Sequence, residues 1–254
     1  MRSCQLPSLP AWDKEIRAVL DPSFDPKKTC TRVDPLTKLV NGKLKFVNGV
    51  HSECHSRELK YFNERAADIG PWIPVEENRE HRSDFVEVQC GLTKQWIYSQ
   101  VYRNESTDPF EKSDLKNQSR PSVYIFLLDS LSNSAALRSL PKTTKFLREQ
   151  FGAVNFPFLN KIADNSRPNA MAFLFGKLVN PIDKTLVNGT SLTADHSESQ
   201  FCKEFLSPDE FIITRFHKHG YRSLMSEDRK QGVFTWPSCM GFQEKATTHE
   251  NRSV

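Results

Sequence analysis

The sequence predicts an α/β protein, in which a sheet-and-helix domain follows a smaller β-rich, proline-rich N-terminal region. Three observations carry this reading. Residues 123–128, VYIFLL, form an unbroken apolar run that stops at Asp129, the pattern of a strand covered on both faces as in a parallel sheet. Residues 141–151 read as an amphipathic helix with Phe146, Leu147 and Phe151 inward, and Gly152 ends it. Residues 153–156 can then return as a second strand, which completes a βαβ unit in outline.

Residues 1–70 are rich in turn formers, among them Leu6-Pro7, Leu9-Pro10, Asp21-Pro22, Asp25-Pro26 and Asp34-Pro35. They predict an extended, proline-punctuated segment pinned by Cys4 and Cys30. Residues 39–47 alternate around Asn41-Gly42, a hairpin signal. Residues 85–90 alternate, Gly91-Leu92-Thr93 can turn, and residues 96–102 are strongly β-prone. Residues 103–120 are polar and form the expected linker, dividing an N-terminal region (1–118) from the α/β domain (119–254).

Within that second domain, Ser166 precedes Pro168 and an apolar run at 170–175 that Gly176 closes, the start and stop signals of a helix. Residues 178–200 are a polar excursion, and their Asp195-His196 pair reads as an exposed loop pair. Ser207-Pro208 opens a further helix that runs to Gly220, with His217 and His219 near its C-terminal dipole. Residues 221–225 read as a strand ending in Ser226-Glu227-Asp228.

Composition narrows the function classes. With 254 residues, 37% hydrophobic content and 18 Phe, the chain can build a packed core. A formal charge of +4, with no basic block interleaved with aromatics, gives no support for nucleic-acid binding. No stretch approaches the roughly 20 apolar residues of a membrane span, and the first residues lack a signal-peptide core. Six cysteines without a C-x-x-C pair favour disulfides over zinc. Four glycosylation sequons begin at Asn104, Asn117, Asn188 and Asn251. Cysteines and sequons together point to an extracellular or secretory address, which a signal or anchor preceding this sequence would reconcile with its plain start.

A carboxylate at a strand end and a hydroxyl at a helix start are suited to one crevice, because open α/β sheets bind ligands beyond the carboxyl ends of their strands. The order of short phrases here resembles a known family. Asp129-Ser130, residues 140–143, 145–147 and 152–154, Asn160-Lys161, Asp164-Asn165, Pro168-Asn169 and Gly176-Lys177 match, in order, the core of the uncharacterised secreted animal family named domain of unknown function 229. That family sits within the alkaline-phosphatase and sulfatase superfamily. The resemblance implies an incomplete alkaline-phosphatase-like α/β/α sandwich. It implies Asp129 as a metal ligand, Ser166 as the nucleophile position, and Asn165, Asn169, Glu227 and Asp228 around an anion-holding crevice. A full-length relative would carry a divalent metal such as zinc or calcium, which lowers the hydroxyl's pKa and neutralises charge developing on the ester.

The chain departs from the pattern in one respect that decides the expected function. The superfamily's later Asp and His ligands, including an Asp-His-Gly phrase, are missing, as is the Cys-x-Pro-x-Arg phrase of sulfatases. Asp129 and Ser166 alone cannot build a metal site. The chain as given is expected to need no cofactor and to be a truncated or degenerate sulfatase/phosphatase-like extracellular protein without hydrolase activity. The alternatives are a fragment of a working metal-dependent hydrolase with Ser166 as nucleophile, and a glycosylated extracellular interaction protein. An incomplete sheet also leaves an open edge, so an oligomer or protein partner covering it is expected.

Overall fold

Two-residue turns and alternating strands organise the β-rich region. In the computed structural model, which describes residues 9–21, 23–31, 34–49, 53–103, 121–228 and 231–252, Thr37–Val40 (β1) and Lys43–Phe46 (β2) form an antiparallel hairpin. Its turn residues Asn41 and Gly42 have φ of 49° and 77°, the left-handed values that a tight hairpin needs and that Asn and Gly tolerate. A five-stranded antiparallel sheet follows. Cys54–Asn63 (β3) lies between Ala66–Ile69 (β4) and Phe85–Cys90 (β6), Ile73–Pro74 (β5) also pairs with β3, and Lys94–Ser99 (β7) flanks β6. Cys54 and Cys90 face each other in the β3–β6 register and form a disulfide. Leu44, Val86 and Val88 bury completely around that bond, with Leu39, Phe46, Trp96 and Tyr98 packed against them. Tyr98 holds the hairpin to this core by donating its phenol to the Thr37 carbonyl.

Three helices and the loops around them build a second core in the same unit. Ser166–Phe175 (α4) ends at Gly176 (φ 65°), Glu198–Lys203 (α5) opens with a capping box from Ser197 and Gln200, and Ile212–Lys218 (α6) follows a single 3₁₀ turn at Pro208–Glu210. Phe175, Phe211, Phe234 and Phe242 form a mutually packed quartet with ring centroids 5.1–6.0 Å apart. Met171, Val179 and Leu206 complete this core. Such offset and edge-on aromatic contacts add stability beyond the area they bury. A second disulfide, Cys202–Cys239, ties α5 to the turn after Phe234. Leu224–Glu227 (β8) and His249–Arg252 (β9) pair in parallel.

The chain divides into two compact units. Val33–Arg120 with Ile162–Val254 form the one just described, and Met1–Arg32 with Pro121–Lys161 form the other. The smaller unit holds three helices among its described residues: Lys14–Val19 (α1), Asn133–Ser139 (α2) and Pro141–Phe151 (α3). Asp13 and Ser132 cap the first two, accepting from Glu15 N and Ala135 N. The Arg138 guanidinium donates to the Ala11 carbonyl at 2.7 Å, joining α2 to the N-terminal segment.

Mixed α/β content is therefore the observed fold class, with no closed barrel among the described residues. Several local expectations hold: the Asn41-Gly42 hairpin, the β6–β7 pair, α3 with Gly152 in the left-handed conformation, and α4. Others are corrected. Residues 123–128 are irregular and exposed, with Phe126 at 89%, and residues 153–156 form no strand either. A strand exists only where another backbone supplies its hydrogen bonds, and among the described residues of this unit none does. For the same reason no βαβ unit forms here, and Phe146, Leu147 and Phe151 lie exposed. The strand expected at 221–225 is shifted to β8, and Cys30 is exposed and outside both disulfides, while Cys4 lies outside the described residues.

Candidate functional site

Ser166 is the first residue of α4, and a short network fixes the loop that delivers it. Asn169 accepts from Ile162 N at 2.8 Å through Oδ1, and donates through Nδ2 to the Ala163 and Asn165 carbonyls, both at 2.7 Å. One carboxamide thus folds residues 162–165 back onto the first helical turn. Asn165 precedes the helix with φ 72°, and no side-chain hydrogen bond caps the helix start. Pro168, which has no N–H to leave unpaired, is buried in the first turn. Beside it, Arg167 Nη1 donates to the Trp236 carbonyl at 2.7 Å and lies against both sulfurs of the Cys202–Cys239 bond, 2.8 Å from Cys202 Sγ.

Asp129 belongs to the other unit. It is exposed, and its Oδ1 accepts from the neighbouring Ser130 N at 2.9 Å in a turn where Ser130 has φ 57°. The two positions singled out by the resemblance are therefore carried by different compact units. Among the described residues, no group of three or more His, Cys, Asp or Glu side chains is gathered so as to hold a metal ion. A zinc centre of three or more protein ligands is thus not gathered among the described residues.

Glu227 ends β8, and its Oε1 accepts from Val233 N at 2.8 Å, while Asp228 beyond it is exposed. Burial pushes the Glu227 carboxyl above its ordinary range, and the charge of Asp228 adds to the shift. Glu250 on β9 is shifted the same way, first by burial and in small part by Glu227, against a downward pull from Thr247 and Lys245. Both acids sit on the parallel β8–β9 pair, where desolvation penalises their charged forms.

A histidine–aspartate pair lies nearby. His249 Nδ1 is 3.0 Å from Asp84 Oδ2, and Tyr102 N donates to Asp84 Oδ1 at 2.8 Å. Asp84, His249 and Glu250 line a cavity of about 270 Å³ together with the apolar side chains of Phe85, Val101 and Leu224.

The family model described as a protein of unknown function, DUF229, matches residues 37–254. The chain belongs to this family. No curated protein and no solved structure matches it. The DUF229 match spans β1 to β9, so it includes Asp129 and Ser166 and also the β-rich sheet.

The Asp84–His249 pair of this DUF229 chain was beyond sequence reasoning. Its two members stand 165 residues apart, and no spacing rule links the loop before β6 to β9. Glu250 follows His249 at the point where the family phrases fade, and only burial distinguishes it. The Asp195-His196 pair behaves as a local loop pair. Asp195 Oδ2 accepts from Leu178 N at 2.6 Å, and the His196 ring packs edge-on against Phe201. The sequons at Asn104 and Asn117 lie outside the described residues, Asn188 sits in an exposed turn and Asn251 lies in β9.

Proposed function

We propose that this DUF229 chain is a sulfatase- or phosphatase-like extracellular protein that, on its own, does not turn over an ester. The observation that carries the reading is that no set of three metal-ligating side chains is gathered among the described residues. Ser166 keeps a helix-start setting, where backbone amides and the helix dipole favour an anion. Asp129 is held in another unit, and the described carboxylates and imidazoles gather nowhere in a set of three. Activating a helix-start serine as a nucleophile takes a metal ion or a positioned general base. Two disulfides and the absence of any described helix long and apolar enough to cross a membrane are compatible with an extracellular setting.

On this reading Asn165 and Asn169 shape the entrance to α4, and Glu227 and Asp228, at the end of β8, are the remaining anion-site positions. Hydrolysis of an aryl phosphate and an aryl sulfate by the purified chain, with zinc, calcium or magnesium supplied, tests the proposal. Turnover equal to that of Ser166→Ala supports it. Metal-dependent turnover that Ser166→Ala abolishes overturns it, and establishes instead that the chain is the catalytic part of a metal-dependent ester hydrolase. The helix-start position of Ser166 is what favours that second reading.

A further inference from the structure

A sequon becomes a modification site when the fold presents its asparagine and tolerates a sugar there, and the described sequons differ in this respect. Asn188 follows the 3₁₀ turn Thr185–Val187 in the left-handed conformation (φ 54°), with its backbone N donating to the Thr185 carbonyl. The turn sits on a closed loop. Ile182 and Leu192 exchange both backbone hydrogen bonds at 2.9 Å, which pins the two ends. Inside that pin, Asp183 Oδ1 accepts from Thr185 N at 2.8 Å and from Ser191 Oγ at 3.1 Å. These bonds hold the Asp183 carboxyl below its ordinary range, and they fix the loop without using Asn188. The residues on either side of the asparagine are all exposed, Thr190 of the sequon included. Asn251, by contrast, lies inside β9, where it pairs with Ser226 in the parallel ladder.

A second observation points to what covers this loop. Leu186 and Val187, immediately before Asn188, are 99% and 76% exposed, although the loop that carries them is pinned and not merely frayed. Two neighbouring aliphatic side chains on a fixed turn give a small apolar surface beside the asparagine, on which a group apolar on one side and polar on the other can lie. The first sugars of an N-linked chain have that character, with C–H groups on one face and hydroxyls around the rim.

We infer that Asn188 carries an N-linked oligosaccharide whose core lies over Leu186 and Val187. In the transfer, Asn188 Nδ2 forms a bond to the anomeric carbon of a polyisoprenyl-diphosphate-linked oligosaccharide. The carbon–oxygen bond to the diphosphate breaks, the lipid diphosphate leaves with that electron pair, and the amide proton passes to the transferase's base. The inference rests on the extracellular reading above, since only the secretory route supplies that donor.

The test is expression of the full chain through the secretory route of a eukaryotic cell, followed by peptide mass mapping before and after an amide-cleaving glycosidase. The expected result is conversion of Asn188 to Asp by the glycosidase, loss of one glycan's mobility shift in Asn188→Gln and Thr190→Ala, and its retention in Thr190→Ser. Glycosidase treatment is also expected to raise apolar-dye binding, and Leu186→Ser with Val187→Ser is expected to remove that rise. Occupancy at another sequon with Asn188 bare overturns this inference alone. A secreted-route product bare at all four sequons overturns it as well and removes the glycoprotein support for the extracellular reading, whereas the ester-hydrolysis assay is unaffected by either outcome.

Discussion

Removing the Cys202–Cys239 bond is expected to destabilise the larger unit by an amount that its place in the chain fixes. The cysteines are 37 residues apart. Cross-linking a loop of that size removes about 13 cal/mol/K of entropy from the unfolded chain, or about 3.9 kcal/mol at 25 °C. Domains of this size are stable by only about 5–15 kcal/mol, so the loss is a large fraction of the whole. Each kcal/mol shifts the midpoint by about 2–4 °C at this length, which gives a fall of about 8–16 °C for Cys202→Ser/Cys239→Ser. The change also withdraws two sulfur contacts from Arg167, so the upper half of that range is expected. Differential scanning calorimetry of the oxidised chain and the double variant measures it, with non-reducing peptide mapping to verify the bond. A midpoint change of under about 2 °C, with the bond verified in the parent, refutes the reasoning.

Four further outcomes follow from the packing and the charges. Phe211→Ala empties a site with no exposure and three aromatic neighbours, so it costs about 3–5 kcal/mol in urea denaturation, whereas Phe146→Ala on the exposed face of α3 costs under about 1 kcal/mol. Equal effects from the two would contradict the placement of the core. Asn169→Ala deletes the three side-chain hydrogen bonds that Asn169 makes to the loop before α4, and about 1–3 kcal/mol with them, and hydrogen exchange across residues 162–165 should accelerate before the rest of the unit. Glu250 binds its proton more tightly folded than unfolded, so its contribution declines as pH rises through the unfolded value of about 4.5 towards the higher folded one. Glu250→Gln is therefore expected to stabilise the chain at pH 8 and to lose that advantage on acidification. His81 acts in the opposite sense: burial lowers its folded value, so stability present above its ordinary 6.5 is lost as pH falls through that folded value. A Glu250→Gln difference that is constant from pH 4 to 8 would contradict the burial of this carboxyl.

What was legible in the sequence was what a short stretch decides by itself. Asn41-Gly42 specifies a turn with two positive φ values, Gly152 and Gly176 specify helix ends, and the alternation of residues 85–90 specifies a strand, though not that Glu87 on its polar face is buried too. The run at 123–128 has the side chains of a buried strand, but pairing depends on partner backbones that no local pattern supplies. The same limit explains the shifted β8, whose position is set by the register against β9 twenty-five residues later. Ser166 opens a helix as its sequence setting predicts, though Asn165 takes the cap position and Asn169 does the bonding. The Asp84–His249 pair and the buried Glu250 are products of tertiary folding, and their sequence surroundings are ordinary.

The lack of a gathered set of metal-ligating side chains among the described residues is most directly tested by titrating zinc, and separately calcium, into the metal-free chain in a calorimeter. The account predicts no stoichiometric binding of either ion. Saturable binding at one or two ions per chain, abolished by Asp129→Ala, would contradict it.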